Sequence, residues 1–174
     1  MLRAGQRGFT LIELMVTIAI VGLLLLLGVP TMRGVIENGR IRMAAESWQY
    51  GLTLARNEAV RRNDRIQFVT SADGWVVSMM DNTVLHSGSG QEGAASLAIA
   101  ITPNNATRVT YNAFGRVLDP NPADLSPPIT EVQIESANPP GLASYRPLRV
   151  QLLAGGLSRL CDPALGSTDP RACL

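Results

Sequence analysis

From Phe9 to Met32 the chain runs 24 residues with one charge, Glu13, and from Leu14 to Met32 it has none. A helix needs about 20 residues, at about 1.5 Å each, to cross a hydrocarbon core of about 30 Å. The pattern therefore predicts a helix long enough to span a membrane. The apolar run exceeds the 7–15 residues usual for the core of a secretory signal, and no small-x-small site follows it. It passes instead into Pro30-Thr31-Met32-Arg33, which favours a retained span over a cleaved signal.

Beyond Arg33 the period stays helical while the composition changes. Ile41, Ala44, Ala45, Trp48, Leu52, Ala55 and Ala59 recur at steps of three and four, so they share one face. Arg40, Glu46, Gln49, Arg56 and Arg61 take the others, and Glu58 stands one turn before Arg62 in the favourable order for an ion pair. One helix is predicted from about Phe9 to Arg62, about 80 Å long at helical rise. Its first half is apolar all round and its second half amphipathic. Pro30 removes a backbone hydrogen bond, and Gly22 and Gly28 weaken the same region.

After Arg62 the pattern shortens. Residues 65–70, 75–80, 96–102, 107–117, 129–136, 146–154 and 157–161 read as strands. The stretch 87–94 (SGSGQEGA) reads as a flexible loop, and 119–128 and 137–141 as proline-rich loops. Turn-linked strands with a helix stripe laid on them predict an α+β domain built on an antiparallel sheet.

Composition narrows the chemistry. The 174 residues carry a net charge of +1, with arginine as the sole basic side chain apart from one histidine, and mean hydropathy is +0.14. Global charge therefore selects no polyanionic partner. Gly88 to Gly93 fit the letters of G-x-G-x-x-G but lack the strand–turn–helix setting that a dinucleotide needs. His86 next to Ser87 makes no triad, because a triad requires a third group and a defined geometry. The carboxylates are scattered, so no catalytic residues, metal ligands or cofactor site are expected. Arg146, Arg149, Arg159 and Arg171 lie near the C-terminus with few acids nearby, which makes them the candidates for phosphate contacts with DNA. A solvated surface is the plainer explanation for them. Cys161 and Cys173 enclose 11 residues and are expected to pair in an oxidising compartment. Positive charge is close to even on the two sides of the span, and the expected disulfide helps break that tie by favouring a globular part outside the cytoplasm.

The segment Arg7-Gly8-Phe9-Thr10-Leu11-Ile12-Glu13 resembles the cleavage and methylation signal of type IV pilins and type II secretion pseudopilins. The resemblance implies that a prepilin peptidase cuts between Gly8 and Phe9 and methylates the amine of Phe9. It implies that Glu13 serves assembly, and that the helix between Gly22 and Pro30 melts in the filament. "TYNAFGRV" (110–117) and the ending from Leu160 to Cys173 are similar to the GspH/FimT family and to its FimT/FimU minor pilins. The implied organisation is a leader at 1–8, a transmembrane helix half at 9–32, an amphipathic half at 33–62 and a periplasmic β-rich domain at 63–174. The implied partners are other pilins, the prepilin peptidase, an inner-membrane assembly platform and membrane lipid. Some FimT-like proteins are DNA receptors with a Gly-Arg-x-Arg motif near the last cysteine. Here that place reads Gly156-Leu157-Ser158-Arg159, without the first arginine, and Gly39-Arg40-Ile41-Arg42 lies on the helix instead. The resemblance thus implies a filament subunit: a type IV minor pilin, or else the H-type pseudopilin of type II secretion, or a DNA receptor.

Overall fold

The computed structural model describes residues 9–89, 97–137, 145–153 and 155–173, with side chains inside the helix left aside at 25–33. The expected leader 1–8 with Gly8, residues 90–94 of the expected loop, residues 138–141 and the Pro30 side chain lie outside the described set.

Helix α1 spans Leu11–Arg62 and continues through Gly22, Gly28 and Pro30. It stops because Asn63 takes the left-handed conformation (φ 52°, ψ 40°), which turns its N–H back onto the carbonyls of Ala59 and Val60. Arg61 and Arg62 in the last turn complement the negative end of the helix dipole. The strands are β1 (Ile66–Ser71), β2 (Gly74–Met79), β3 (Val84–Ser89), β4 (Leu97–Thr102), β5 (Arg108–Tyr111), β6 (Glu131–Ser136), β7 (Leu148–Leu152) and β8 (Ser158–Cys161). They form two antiparallel sheets of four, ordered β3-β2-β1-β5 and β4-β6-β7-β8. The predicted helix stripe is the seam: Ile41, Ala44, Ala45, Trp48, Leu52, Ala55 and Ala59 are all buried, and the helix touches both sheets.

Two expectations are corrected. Residues 87–89 belong to β3 rather than to a loop, held by pairing with β2 from Gly74↔Ser89 to Ser78↔Val84. The strand expected at 107–117 ends at Tyr111, because Asn112 opens a turn in which its N–H donates to Arg116 O and its carbonyl accepts from Gly115 N.

Small residues let the helix approach the first sheet. Trp75 lies between Gly51 of α1 and Gly88 of β3. A Cβ on Gly51 would stand 2.6 Å from the indole, and one on Gly88 would collide with it. Phe68 stacks on Trp75 (centroids 5.9 Å) and tilts against Trp48 (5.7 Å). Gly88 therefore makes room for a core tryptophan, which accounts for the first glycine of the G-x-G-x-x-G letters.

The proline-rich loop 119–128 is also fixed. Asn121 is fully buried, accepts from Thr110 Oγ1 (3.0 Å), and donates to the Arg108 carbonyl (3.3 Å) and the Ser126 carbonyl (3.1 Å). Arg108 reaches across the same loop to Asp124 (2.8 Å). Cys161 and Cys173 are bonded, with Cα atoms 5.0 Å apart.

Candidate functional site

The N-terminal end of α1 is built as a cap followed by an apolar rod. Thr10 is the N-cap in extended conformation (φ −79°, ψ 150°), and its Oγ1 accepts from the Glu13 amide (3.3 Å). Thr10-Leu11-Ile12-Glu13 is thus a capping-box sequence. That signal was available in the sequence, and it gives the Thr10 side chain a local function. The bond engages the Glu13 backbone, so the carboxylate itself stays free to act elsewhere. Glu13 also lies in the first turn, where the helix dipole favours a negative charge. Residues 9–24 are exposed on every face, with Phe9 at 87 %. An apolar surface of this extent demands lipid or protein around it. Among the described residues no helix is long and apolar enough to cross a membrane. The span expected at 9–32 extends over side chains outside that set.

The four candidate DNA-contacting arginines have separate fates. Arg149 of β7 donates to Gln133 (2.9 Å) and pairs with Glu131 (3.3 Å), both on β6. Arg159 of β8 donates to the carbonyls of Ala172 (2.6 Å) and Pro170 (3.0 Å), so it pins the disulfide loop. Arg171 pairs with Asp169 (3.0 Å). The exposed guanidinium of Arg146 makes no hydrogen bond or ion pair among the described residues. Arg146, Arg171 and Arg42 border one cleft of about 350 Å³, floored by Leu148 and Leu160 and shared with Asp162. The stripe of free cations that phosphate binding needs is not assembled there.

A second charged group sits at the far end of the helix. Glu58, only 8 % exposed at its side chain, accepts from Arg61 (2.6 and 2.8 Å) and Arg62 (2.7 Å), with His86 Nε2 at 3.5 Å. The guanidinium hydrogen bonds, Arg61 first and then Arg62, hold its carboxyl down at about 2. A depressed carboxyl stabilises the fold above the ordinary carboxylate range and loses that contribution as pH falls toward about 2. Because both arginines are partly exposed, the gain is about 1–2 kcal/mol. Glu58→Gln is therefore expected to lower stability by that amount at pH 7 and to converge with the parent near pH 2, read by urea unfolding at both pH values. An equal gap at both would overturn the assignment. His86 is thus placed beside a structural carboxylate. Among the described residues no group of His, Cys, Asp or Glu is placed to hold a metal ion.

Comparison with known proteins follows the same division of the chain. A family model described as type II transport protein GspH matches residues 44–156, and one described as the prokaryotic N-terminal methylation motif matches residues 3–29. The structure is similar to a crystal structure of the type IV minor pilin FimU of Pseudomonas aeruginosa (strain PAO1), with a TM-score of 0.52 and 18 % identity over 79 % of this chain and 98 % of that one. A second crystal form of FimU gives a TM-score of 0.44 and 20 % identity over 76 % of this chain and 99 % of that one. Among curated proteins nothing matches.

Proposed function

The chain belongs to the GspH family, whose members are pilin-like structural subunits and not enzymes, and we propose that it is a minor pilin of a type IV pilus that acts in filament assembly or priming. In this reading Phe9 to Met32 anchors the chain singly in a bacterial inner membrane, with the 63–174 domain in the periplasm. The helix then moves from lipid into a filament core beside other pilins, with Gly22 and Pro30 marking the part that melts. The observation that carries the proposal is the joining of a methylation motif to a helix whose first half is apolar on every face and whose second half is seated on two sheets.

The disulfide-closed ending supports the FimT/FimU-like assignment. The H-type pseudopilin of type II secretion is the alternative, and the description of the matching family favours it. A DNA-receptor role draws less support, since three of its four candidate arginines already have intramolecular partners.

The test is the chain's mature terminus. Mass spectrometry of the protein recovered from sheared filaments is expected to find N-methylated Phe9 as the first residue, and to lose it when the prepilin peptidase is absent. A protein that keeps residues 1–8 and stays out of the filament fraction would refute the proposal. Deleting the secretion platform, or the pilus platform, then tells which machine the chain serves.

A further inference from the structure

Past the end of the helix two turns are braced against each other. In the first, Asn112 Oδ1 accepts from the amides of Phe114 (3.0 Å) and Arg116 (3.0 Å), while its main chain bonds Gly115 N and Arg116 O. In the second, Leu153 and Leu157 close a turn around Gly156. Both glycines are left-handed, Gly115 at φ +72° and Gly156 at φ +81°. Any side chain on Gly156 would collide with the Gly115 carbonyl, and that same carbonyl accepts from Arg56 Nε (3.1 Å).

This bracing exposes apolar groups. Phe114 is 82 % exposed, Leu157 54 % and Val60 50 %. They come from three separate elements and meet around the two glycines, with Val60 Cγ2 3.1 Å from where a Gly115 Cβ would stand. Two arginines border them. Arg116 is exposed and its guanidinium has no partner among the described residues, and Arg56 uses only its Nε. The carboxylate of this helix turn, Glu58, is already engaged by Arg61 and Arg62.

We propose that the Phe114–Leu157–Val60 junction is a protein-docking surface, and that its occupant is a neighbouring filament subunit offering an aliphatic recess for Phe114 bordered by a carboxylate for Arg116. Aromatic and arginine side chains are the types enriched at interface centres. The hydrogen-bonded turn already fixes the Phe114 backbone, so little main-chain ordering entropy remains to be lost on binding. The unpaired guanidinium of Arg116 gives the patch an acidic complement. Val60 lies about 40 Å along the helix from Met32 at helical rise, which removes the bilayer as occupant. The inference rests on the filament-subunit reading and specifies one contact within it.

The experiment places a benzophenone amino acid at position 114 of the full chain in its own host and irradiates sheared filaments. The expected product joins position 114 to one other subunit, within a peptide that carries an Asp or Glu among aliphatic residues. Adding Arg116→Glu is expected to lower the yield at least about tenfold, and reversing the mapped carboxylate to arginine to restore it. Four results would overturn the docking surface while the chain is present in filaments: no cross-link, a cross-link to lipid or nucleic acid, a peptide without an acid, or a yield indifferent to Arg116→Glu. Absence of the unaltered chain from filaments would instead overturn the filament reading, and with it the occupant named here.

Discussion

Glu13→Ala is expected to leave the chain in the membrane fraction and to cut its recovery in filaments by roughly thirtyfold, equivalent to about 2 kcal/mol. The physical reason is the amine that cleavage would create on Phe9, four positions before the Glu13 carboxylate. In a filament the amine of one subunit and the carboxylate of the next can neutralise each other inside an apolar bundle. Opposite charges about 4 Å apart are worth about 4 kcal/mol at an effective dielectric constant of about 20. Truncating one partner of a buried pair costs about 2–5 kcal/mol, much of it for the charge left alone. The rival explanation is that Glu13 completes a helix cap. Thr10→Ala separates the two, because it removes the Oγ1 that accepts the Glu13 amide and leaves both charges in place. Loss of a cap costs about 0.5–2 kcal/mol of helix stability. If Thr10→Ala alone reproduces the assembly defect, or if Glu13→Ala assembles normally, charge pairing is not the function of Glu13. The measure is the ratio of filament to membrane protein by immunoblot.

What could be read ahead of the structure was what periodicity encodes. Every residue of the predicted helix stripe is buried, and the helix ends at the predicted Arg62. The Glu58–Arg62 pair forms as the spacing requires. What could not be read depends on contacts distant in sequence. β3 has the polar, small-residue composition of a loop. It becomes a strand because β2 supplies its hydrogen bonds and Trp75 needs the space over Gly88. Asn121 looks like any turn residue in a proline-rich stretch, yet it is the buried hub of that stretch. The arginines show the same gap. Arg149 and Arg159 look alike in the sequence as free cations, and only strand register and the closure of the C-terminal loop reveal them as structural. The cap at Thr10 is a different matter: it is local, and its Thr-x-x-Glu signature was legible all along.

Replacing both Cys161 and Cys173 with serine is expected to cost about 3 kcal/mol, which for a domain of this size lowers the melting temperature by roughly 6–12 °C. The bond joins residues 12 apart in sequence, and in the chain-entropy model its effect comes from constraining the unfolded state. The native consequence is concentrated at one edge. β8 is the last strand of its sheet and also touches the helix, through Gln49 Nε2 to the Ser158 carbonyl (3.4 Å) and Thr53 Oγ1 to Ser158 Oγ (3.1 Å). Without the bond, the loop after β8 relies on the Asp162 amide to the Arg171 carbonyl (2.8 Å) and on Arg159 holding the carbonyls of Pro170 and Ala172. Those bonds are each worth about 0.5–1.5 kcal/mol, or up to about 3 where the donor is charged. They set the alternative: if they suffice, the double serine variant melts with the parent and Arg159→Ala becomes the more damaging change. Thermal unfolding of both variants by circular dichroism, with and without reductant, decides between a loop held by its covalent bond and one held by its arginine. Reductant should bring the parent down to the double serine variant and leave that variant unmoved.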